Sequence, residues 1–365
     1  MRLVFALLLL IHGIIHLIGF AKSYYSTEIS KQVLGIPKPI GVIWLLVFIM
    51  FIVSASAFIT HKKWFYIAFI AACISQILII LAWKEAKFGT LANIIILIVS
   101  ISAYGNYEFN KMVINETKAL LQNIKVEDTP VISEKDILNL PEIIQKWMRN
   151  SGVIGKKRIV SVRLKQNGEM KTKPHSKWLH FKAEQYLNIK QPAFVWSTVV
   201  DFMPMVKMIG RDKLINGEGD MLIKLADIIP VVNEGNNEKI NSAAMIRFLA
   251  EITWFPSAAL SDYIRWEVMD EHTFKGVFTI HEKSVSGIFK FSEDGDMLSF
   301  EAQRYYGGRK NATLETWLVK TKGHKDFNGF KIPSKCEVIW KLEDGDFNWL
   351  NFEITELNYN QLQIF

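Results

Sequence analysis

The sequence predicts a chain in two parts. An N-terminal bundle of four transmembrane helices precedes a soluble α+β domain, in which one helix covers a large antiparallel sheet. Three observations lead there. Four apolar runs without a single Asp, Glu, Lys or Arg fill the first third of the 365 residues. From Arg158 onward, apolar and polar residues alternate at period two. One helical stretch, 241–252, interrupts those strands.

Composition agrees with this division. Half of the residues are hydrophobic, 22% are charged, and the mean hydropathy is +0.15. Such a value suits a chain partly in lipid and partly in water, and it excludes disordered or collagen-like chains. Cys73 and Cys336 are the only cysteines, which excludes a disulfide framework and a cysteine zinc site. The net charge of +7 is uneven. Residues 1–109 hold eight Lys and Arg against three acids, a net of +5 that includes Lys31 and Glu28, and the rest is +2. The basic excess flanks the apolar runs and fits lipid head groups. No basic cluster interleaves with aromatics downstream, so no nucleic-acid partner is expected.

The four runs are 3–20, 40–60, 64–83 and 88–104. Each approaches the ~20 residues that a helix needs to cross the hydrocarbon core. Pro37 and Pro39 prevent the second helix from extending backwards. Trp44, Trp64, Tyr66, Trp83 and Tyr104 lie near run ends, where amphipathic rings favour the interface. The first run also resembles a signal peptide, with Arg2 before it. Its length, its His12 and His16, and the poor cleavage context Ala21-Lys22-Ser23 favour a retained helix. Orientation is a tie. Arg2, Lys62, Lys63, Lys111 and Lys118 oppose Lys22, Lys31, Lys38, Lys84 and Lys87. Four spans put the N-terminus and the C-terminal domain on one side of the bilayer.

Polar residues inside the runs stand out because lipid penalises them. His12 and His16, spaced i, i+4, share a helical face; Gln76 and Asn93 lie mid-run in the third and fourth helices. They form either an intramembrane metal, quinone or proton site, or a set of inter-helix hydrogen bonds. Bis-histidine haem needs ligands on facing helices, and no other run has an internal histidine. A histidine-box di-iron oxygenase needs many more.

Residues 106–132 read as a juxtamembrane helix and linker, and 133–365 as the β-rich domain. Ser133 with Asp136 is a capping signal. Ile137, Leu140, Ile143, Ile144 and Trp147 follow at helical spacing, with Pro141 as a break and Gly152 as a stop. Val160, Val162 and Leu164 then alternate with polar residues, and Asn167-Gly168 signals a hairpin turn. Further strands are expected around 179–183, 194–198, 213–216, 220–225, 263–268, 274–281, 287–291, 297–306, 315–321, 337–342 and 347–356. Asp294-Gly295 and Asp344-Gly345 separate pairs of them. In the helix 241–252, Met245, Phe248, Leu249 and Ile252 form the apolar face, expected against the concave side of the sheet with Trp254 beside it. Arg247 and Glu251 are expected at the rim.

Catalytic motifs are missing from the sequence: there is no GxSxG, HExxH, P-loop, GxGxxG or paired CxxC. No cofactor and no metal are expected. Arg247 and Glu251 either grip a ligand head group or form a structural ion pair. Arg304 shares a strand face with Leu298, Phe300 and Ala302, and a cation there calls for an Asp or Glu partner. Eight tryptophans, Trp196 and Trp254 among them, fill a core or line a groove for an acyl chain.

Several stretches carry a resemblance. His12-Gly13-Ile14-Ile15-His16-Leu17-Ile18-Gly19-Phe20 and Trp83-Lys84-Glu85-Ala86-Lys87-Phe88-Gly89-Thr90-Leu91-Ala92-Asn93 resemble the N-terminal region of an uncharacterised bacterial multi-pass membrane-protein family. Arg247-Phe248-Leu249-Ala250-Glu251-Ile252-Thr253-Trp254-Phe255-Pro256-Ser257-Ala258-Ala259-Leu260 looks like its signature. Ala183-Glu184-Gln185-Tyr186, Pro192-Ala193-Phe194-Val195-Trp196 and Gly210-Arg211-Asp212 resemble its other recurrent stretches. The sheet-plus-helix pattern also looks like the half-barrel of bacterial lipoprotein carriers. The resemblance implies no reaction; it implies a bacterial inner-membrane location. We therefore expect a membrane-anchored binding module for a lipid or other hydrophobic small molecule, with Arg247, Glu251, Trp254, Trp196 and Arg304 at the ligand and the bilayer as partner. The alternatives are an envelope scaffold without a ligand, or a membrane enzyme using His12 and His16.

Overall fold

A computed structural model describes residues 2–25, 36–204, 206–307 and 312–365; Glu28 and Lys31, counted in the charge balance, lie outside them. The chain divides into two units, Met1–Asn110 and Lys111–Phe365.

The first unit contains α1 (Arg2–Tyr25), α2 (Lys38–Ile59), α3 (Trp64–Leu81), the single turn α4 (Trp83–Ala86) and the start of α5 (Gly89–Leu121). The four long helices are apolar and long enough to cross a membrane. Proline opens α2, where its missing N–H would have no helical partner anyway. The polar residues after Tyr104 continue α5 without a break, since no proline lies between Gly105 and Leu121. At ~1.5 Å per residue, α5 is about 50 Å long, more than the ~30 Å of a hydrocarbon core. Small residues bring the helices together. Ala68, Ala71 and Ala72 of α3 are fully buried. A Cβ on Gly13 would lie 2.9 Å from the Phe51 Cβ, and one on Gly19 would run into the Trp44 ring. Outward, Leu3, Leu7, Ile11, Ile14 and Ile18 form an exposed apolar stripe along α1.

In the second unit, Ser133 and Asp136 form the expected capping box of α6 (Glu134–Ile137). Pro141 restarts the chain as α7 (Glu142–Asn150), which buries Ile143, Ile144, Trp147 and Met148. Thirteen strands follow: β1 (Ser161–Met170), β2 (Leu179–Asn188), β3 (Ala193–Met203), β4 (Val206–Ile215), β5 (Glu218–Leu225), β6 (Ile229–Gly235), β7 (Ile264–Val268), β8 (Thr273–Ile280), β9 (Lys283–Phe291), β10 (Met297–Tyr306), β11 (Thr313–Phe327), β12 (Phe330–Leu342) and β13 (Gly345–Tyr359). They form one antiparallel sheet in the order β6-β5-β4-β3-β2-β1-β13-β12-β11-β10-β9-β8-β7.

That order has a simple logic. Hairpins build two halves, β1–β6 and β7–β13, and the first and last strands join them at the centre. The edges β6 and β7 are adjacent in sequence but lie at opposite ends of the sheet. The chain between them is α8 (Glu238–Glu251) and two 3-10 segments, Ile252–Trp254 and Pro256–Leu260. A thirteen-stranded twisted sheet cannot stay flat, so it curls. Here it curls around α8 without closing, and α8 crosses the concave face. Asn237 caps the helix by accepting from the Ile240 N–H at 3.0 Å. Met245, Phe248, Leu249 and Ile252 are buried as expected, with Phe248 stacked on Phe278 at 5.1 Å.

Asp294-Gly295 and Asp344-Gly345 separate strand pairs as expected. Asn167-Gly168 does not form a turn: both residues lie inside β1, opposite Lys182 and Phe181. The glycine serves a close approach instead. A Cβ on Gly168 would collide with the Asn351 carbonyl and lie 2.8 Å from the Phe181 ring.

Candidate functional site

The register of β1–β5 places Leu164, Gln185, Trp196, Asp212 and Met221 side by side in one row across the sheet. Residues directly opposite in adjacent strands share a face, and this row faces α8. Arg247 and Glu251, one helical turn apart, meet it. The Arg247 Nε donates to Glu251 Oε1 at 2.7 Å, and Nη1 donates to Asp212 Oδ2 at 2.8 Å. Nη2 donates to Gln185 Oε1 at 3.2 Å, and Gln185 Nε2 donates to Glu251 Oε2 at 2.6 Å. The guanidinium also lies 4.8 Å from the Trp196 ring centroid and 4.9 Å from that of Phe194.

The rim position expected for this pair is not what the fold produces. The side chains of Arg247, Asp212 and Glu251 are 15%, 6% and 7% exposed. The physical reason is that a curled sheet wraps the helix on several sides, so little of its polar flank reaches water. Burial opposes the Arg247 charge, but the Glu251 and Asp212 carboxylates outweigh it and hold the guanidinium above its ordinary range. Burial pushes the Glu251 carboxyl up, against the pull of Arg247 and Gln185. For Glu251 burial is the largest effect and outweighs the attraction of the cation it shares with Asp212.

Beside this network lies a cavity of about 230 Å³ between α8 and the sheet. Arg247, Glu251, Trp254, Trp196 and Arg304 all line it. Its wall is mainly apolar, with Met170, Phe181, Val200 and Met208 on one side and Val319, Val338 and Leu350 on the other. The Trp196 indole N–H donates to Gln166 Oε1 at 2.9 Å. The indole N–H groups of Trp317 and Trp349 are buried without a hydrogen-bond partner among the described residues. Cys336 also lines the wall, and burial pushes its thiol up to about 12.

Arg304 departs from expectation. Among the described residues no carboxylate lies within ion-pair distance of it. Its Nε donates to the Ala243 carbonyl at 3.1 Å, and its guanidinium lies 4.8 Å from the Trp317 ring centroid and 5.6 Å from that of Trp340. Carbonyl and aromatic faces stand in for the missing acid. Burial is the main cause of a pKa pushed down to about 10. Sequence reasoning missed Gln185 and Asp212, whereas Trp317 and Trp349 are two of the eight tryptophans expected in a core or groove. Gln185 and Asp212 lie within the recurrent stretches quoted above; only strand register reveals that those stretches converge.

In the first unit, His12, His16, Gln76 and Asn93 come together. His12 Nε2 donates to Asn93 Oδ1 at 2.8 Å, Asn93 Nδ2 to Gln76 Oε1 at 3.0 Å, and Gln76 Nε2 to Thr90 Oγ1 at 3.2 Å. His16 Nδ1 donates to the His12 carbonyl at 2.8 Å, and its Nε2 accepts from the Ser75 hydroxyl at 2.9 Å. A ring nitrogen facing a carbonyl carries the proton, which sets both tautomers. Ser75 and Thr90 are members that the sequence did not single out. Among the described residues there is no group of three or more His, Cys, Asp or Glu able to hold a metal.

No curated protein matches the chain. Two of the solved structures similar to it are the following. One is an outer membrane lipoprotein-sorting protein domain from Vibrio parahaemolyticus, with 10% identity, a TM-score of 0.34, and coverage of 55% of this chain and 85% of that one. The other is a LolA superfamily protein from Nitrosomonas europaea, with 9% identity, a TM-score of 0.34, and coverage of 60% and 93%. No residue role is carried over from either. Every residue named here at the cavity lies within 138–359, the stretch that matches a family pattern. By that match the chain belongs to DUF6920, a family of unknown function.

Proposed function

We propose that this chain is a membrane-anchored binding module whose β-rich unit holds a lipid or other hydrophobic ligand between α8 and the sheet. The cavity carries the reading. It offers about 230 Å³ walled mainly by apolar side chains, an environment that favours an apolar ligand over water. A cavity of about 150 Å³ accepts benzene, so this one suits a single acyl segment rather than a whole diacyl lipid.

The anchor reading is supported by the four long apolar helices and by the exposed stripe Leu3, Leu7, Ile11, Ile14 and Ile18. Large side chains in such a stripe are at home against acyl chains and costly against water. Alkaline carbonate should leave the chain in the membrane pellet; release into the supernatant would refute the anchor.

Ligand binding is tested with Met221→Trp, which fills the cavity from a half-buried position in its wall. Full-length wild type and variant, purified in the same detergent, are extracted and their lipids quantified by mass spectrometry. Boundary lipids are common to both. The wild type should carry an additional apolar species that the variant lacks, and identical extracts would sink the reading.

A further inference from the structure

Two of the three arginines at the cavity, Arg247 and Arg304, differ in what they have left to offer; the third, Arg211, pairs with Glu116 and Asp220. Each guanidinium nitrogen of Arg247 has an acceptor: Nε meets Glu251, Nη1 meets Asp212 and Nη2 meets Gln185. Among the described residues, Arg304 donates only to the Ala243 carbonyl and otherwise faces indole rings. Directly beside it, Trp317 is 6% exposed, and its indole N–H has no acceptor among the described residues. Buried donors without acceptors are rare in native proteins and costly. A buried guanidinium without a carboxylate is more unusual still. Both groups line the same apolar cavity.

We propose that Arg304 and the Trp317 indole N–H form the head-group end of this cavity, and that its ligand is a single-chain amphiphile with an anionic oxygen head, such as a fatty carboxylate. This rests on the reading that the cavity holds an apolar ligand, and it names that ligand's class. A carboxylate has two acceptor oxygens, and the site offers a planar cation and an N–H donor beside it. The chain then runs along the methionine and phenylalanine wall. Asp212 and Glu251 do not occupy the place of the head group, because Arg247 and Gln185 hold both. With its pKa near 10, Arg304 is still charged at neutral pH. A cationic head would be repelled, and a neutral alcohol would gain only the weaker, uncharged hydrogen bonds.

The test uses the full chain in amphipol, with equilibrium dialysis of radiolabelled dodecanoate and dodecanol, which share one alkyl chain. Wild type should bind dodecanoate tighter than dodecanol by on the order of tenfold to a hundredfold, the value of a charge-assisted hydrogen bond. Arg304→Gln should abolish that preference and leave dodecanol within about twofold of wild type, while Arg304→Lys restores part of it. Trp317→Phe keeps the ring and removes the N–H; it should weaken dodecanoate by about three- to tenfold. It serves as the second variant if Arg304→Gln does not fold. Equal binding of the two probes by wild type, or an undiminished preference in Arg304→Gln and Trp317→Phe, overturns the head-group assignment. If Met221→Trp still weakens both probes in that case, the cavity reading survives. Failure of both probes to bind, or binding of both that Met221→Trp leaves unchanged, overturns the cavity reading itself.

Discussion

In the first unit, buried polarity is neutral. Two histidines, two amides and two hydroxyls pass hydrogen bonds along one chain through an otherwise apolar helical interior. In the second unit, buried polarity is ionic: a guanidinium sits between two carboxylates and an amide. Helices satisfy their own backbone, so they tolerate isolated polar side chains that need only one partner each. Pairing a full charge takes several ligands from different directions. A curled sheet supplies them, because adjacent strands bring Gln185 and Asp212 to one helix face. Buried polarity therefore follows the secondary structure that must organise it.

Mutations can break this contrast, and the largest effect should come from the ionic cluster. Arg247→Ala leaves Asp212 and Glu251 buried together without a cation. It should cost about 3–5 kcal/mol, read by thermal or urea unfolding of the β-rich unit in the full chain. Arg247→Ala and Glu251→Ala should be strongly non-additive in a double-mutant cycle. Additive effects would show that the two residues act independently. Gln185→Leu removes the amide that ties Arg247 to Glu251 and should cost about 1–3 kcal/mol in the same measurement. No loss would mean that the amide is dispensable to the cluster.

The neutral network should be softer. His16→Leu removes its bond to Ser75, and inter-helix hydrogen bonds in membranes average ~0.6 kcal/mol, with a maximum near 1.7. Denaturation of the helical unit in mixed micelles should show a loss of that order. A loss as large as that of Arg247→Ala would erase the distinction between the units.

The finest discrimination is by pH. The folded Glu251 carboxyl lies above its ordinary range because of burial. Such a group stabilises the fold fully below its unfolded pKa, and that contribution fades as pH rises through the folded value. Wild-type stability should therefore carry a component that declines as pH rises above about 4.5, and Glu251→Gln should remove it. An unchanged pH slope in Glu251→Gln would assign the titration to another group.

Much of the fold was legible because it depends on local periodicity. Charge-free runs of membrane length and the two-residue alternation between Val160 and Leu164 need no distant partner to be read. Asp344-Gly345 is a turn by local chemistry alone. Asn167-Gly168 has the same chemistry and is not a turn, because β13 and Phe181 press against that glycine. Tertiary packing overrode a local signal there.

The site was legible in its residue types but not in its geometry. Arg247, Glu251, Trp196, Trp254 and Arg304 all reach the cavity. The sequence assigned the pair to the rim and gave Arg304 a carboxylate, and both expectations failed for one reason. Exposure and charge partners depend on which strands stand opposite, and pairing β1 with β13 joins residues separated by nearly the whole unit. By itself the sequence determined the four apolar helices, the strand-rich unit and the single helix among the strands, since each follows from patterns within a few turns of chain. Only the tertiary structure decided that Arg247 meets two carboxylates and an amide while Arg304 meets a carbonyl and indole faces, because a cation's partners are set by strand register and sheet curvature.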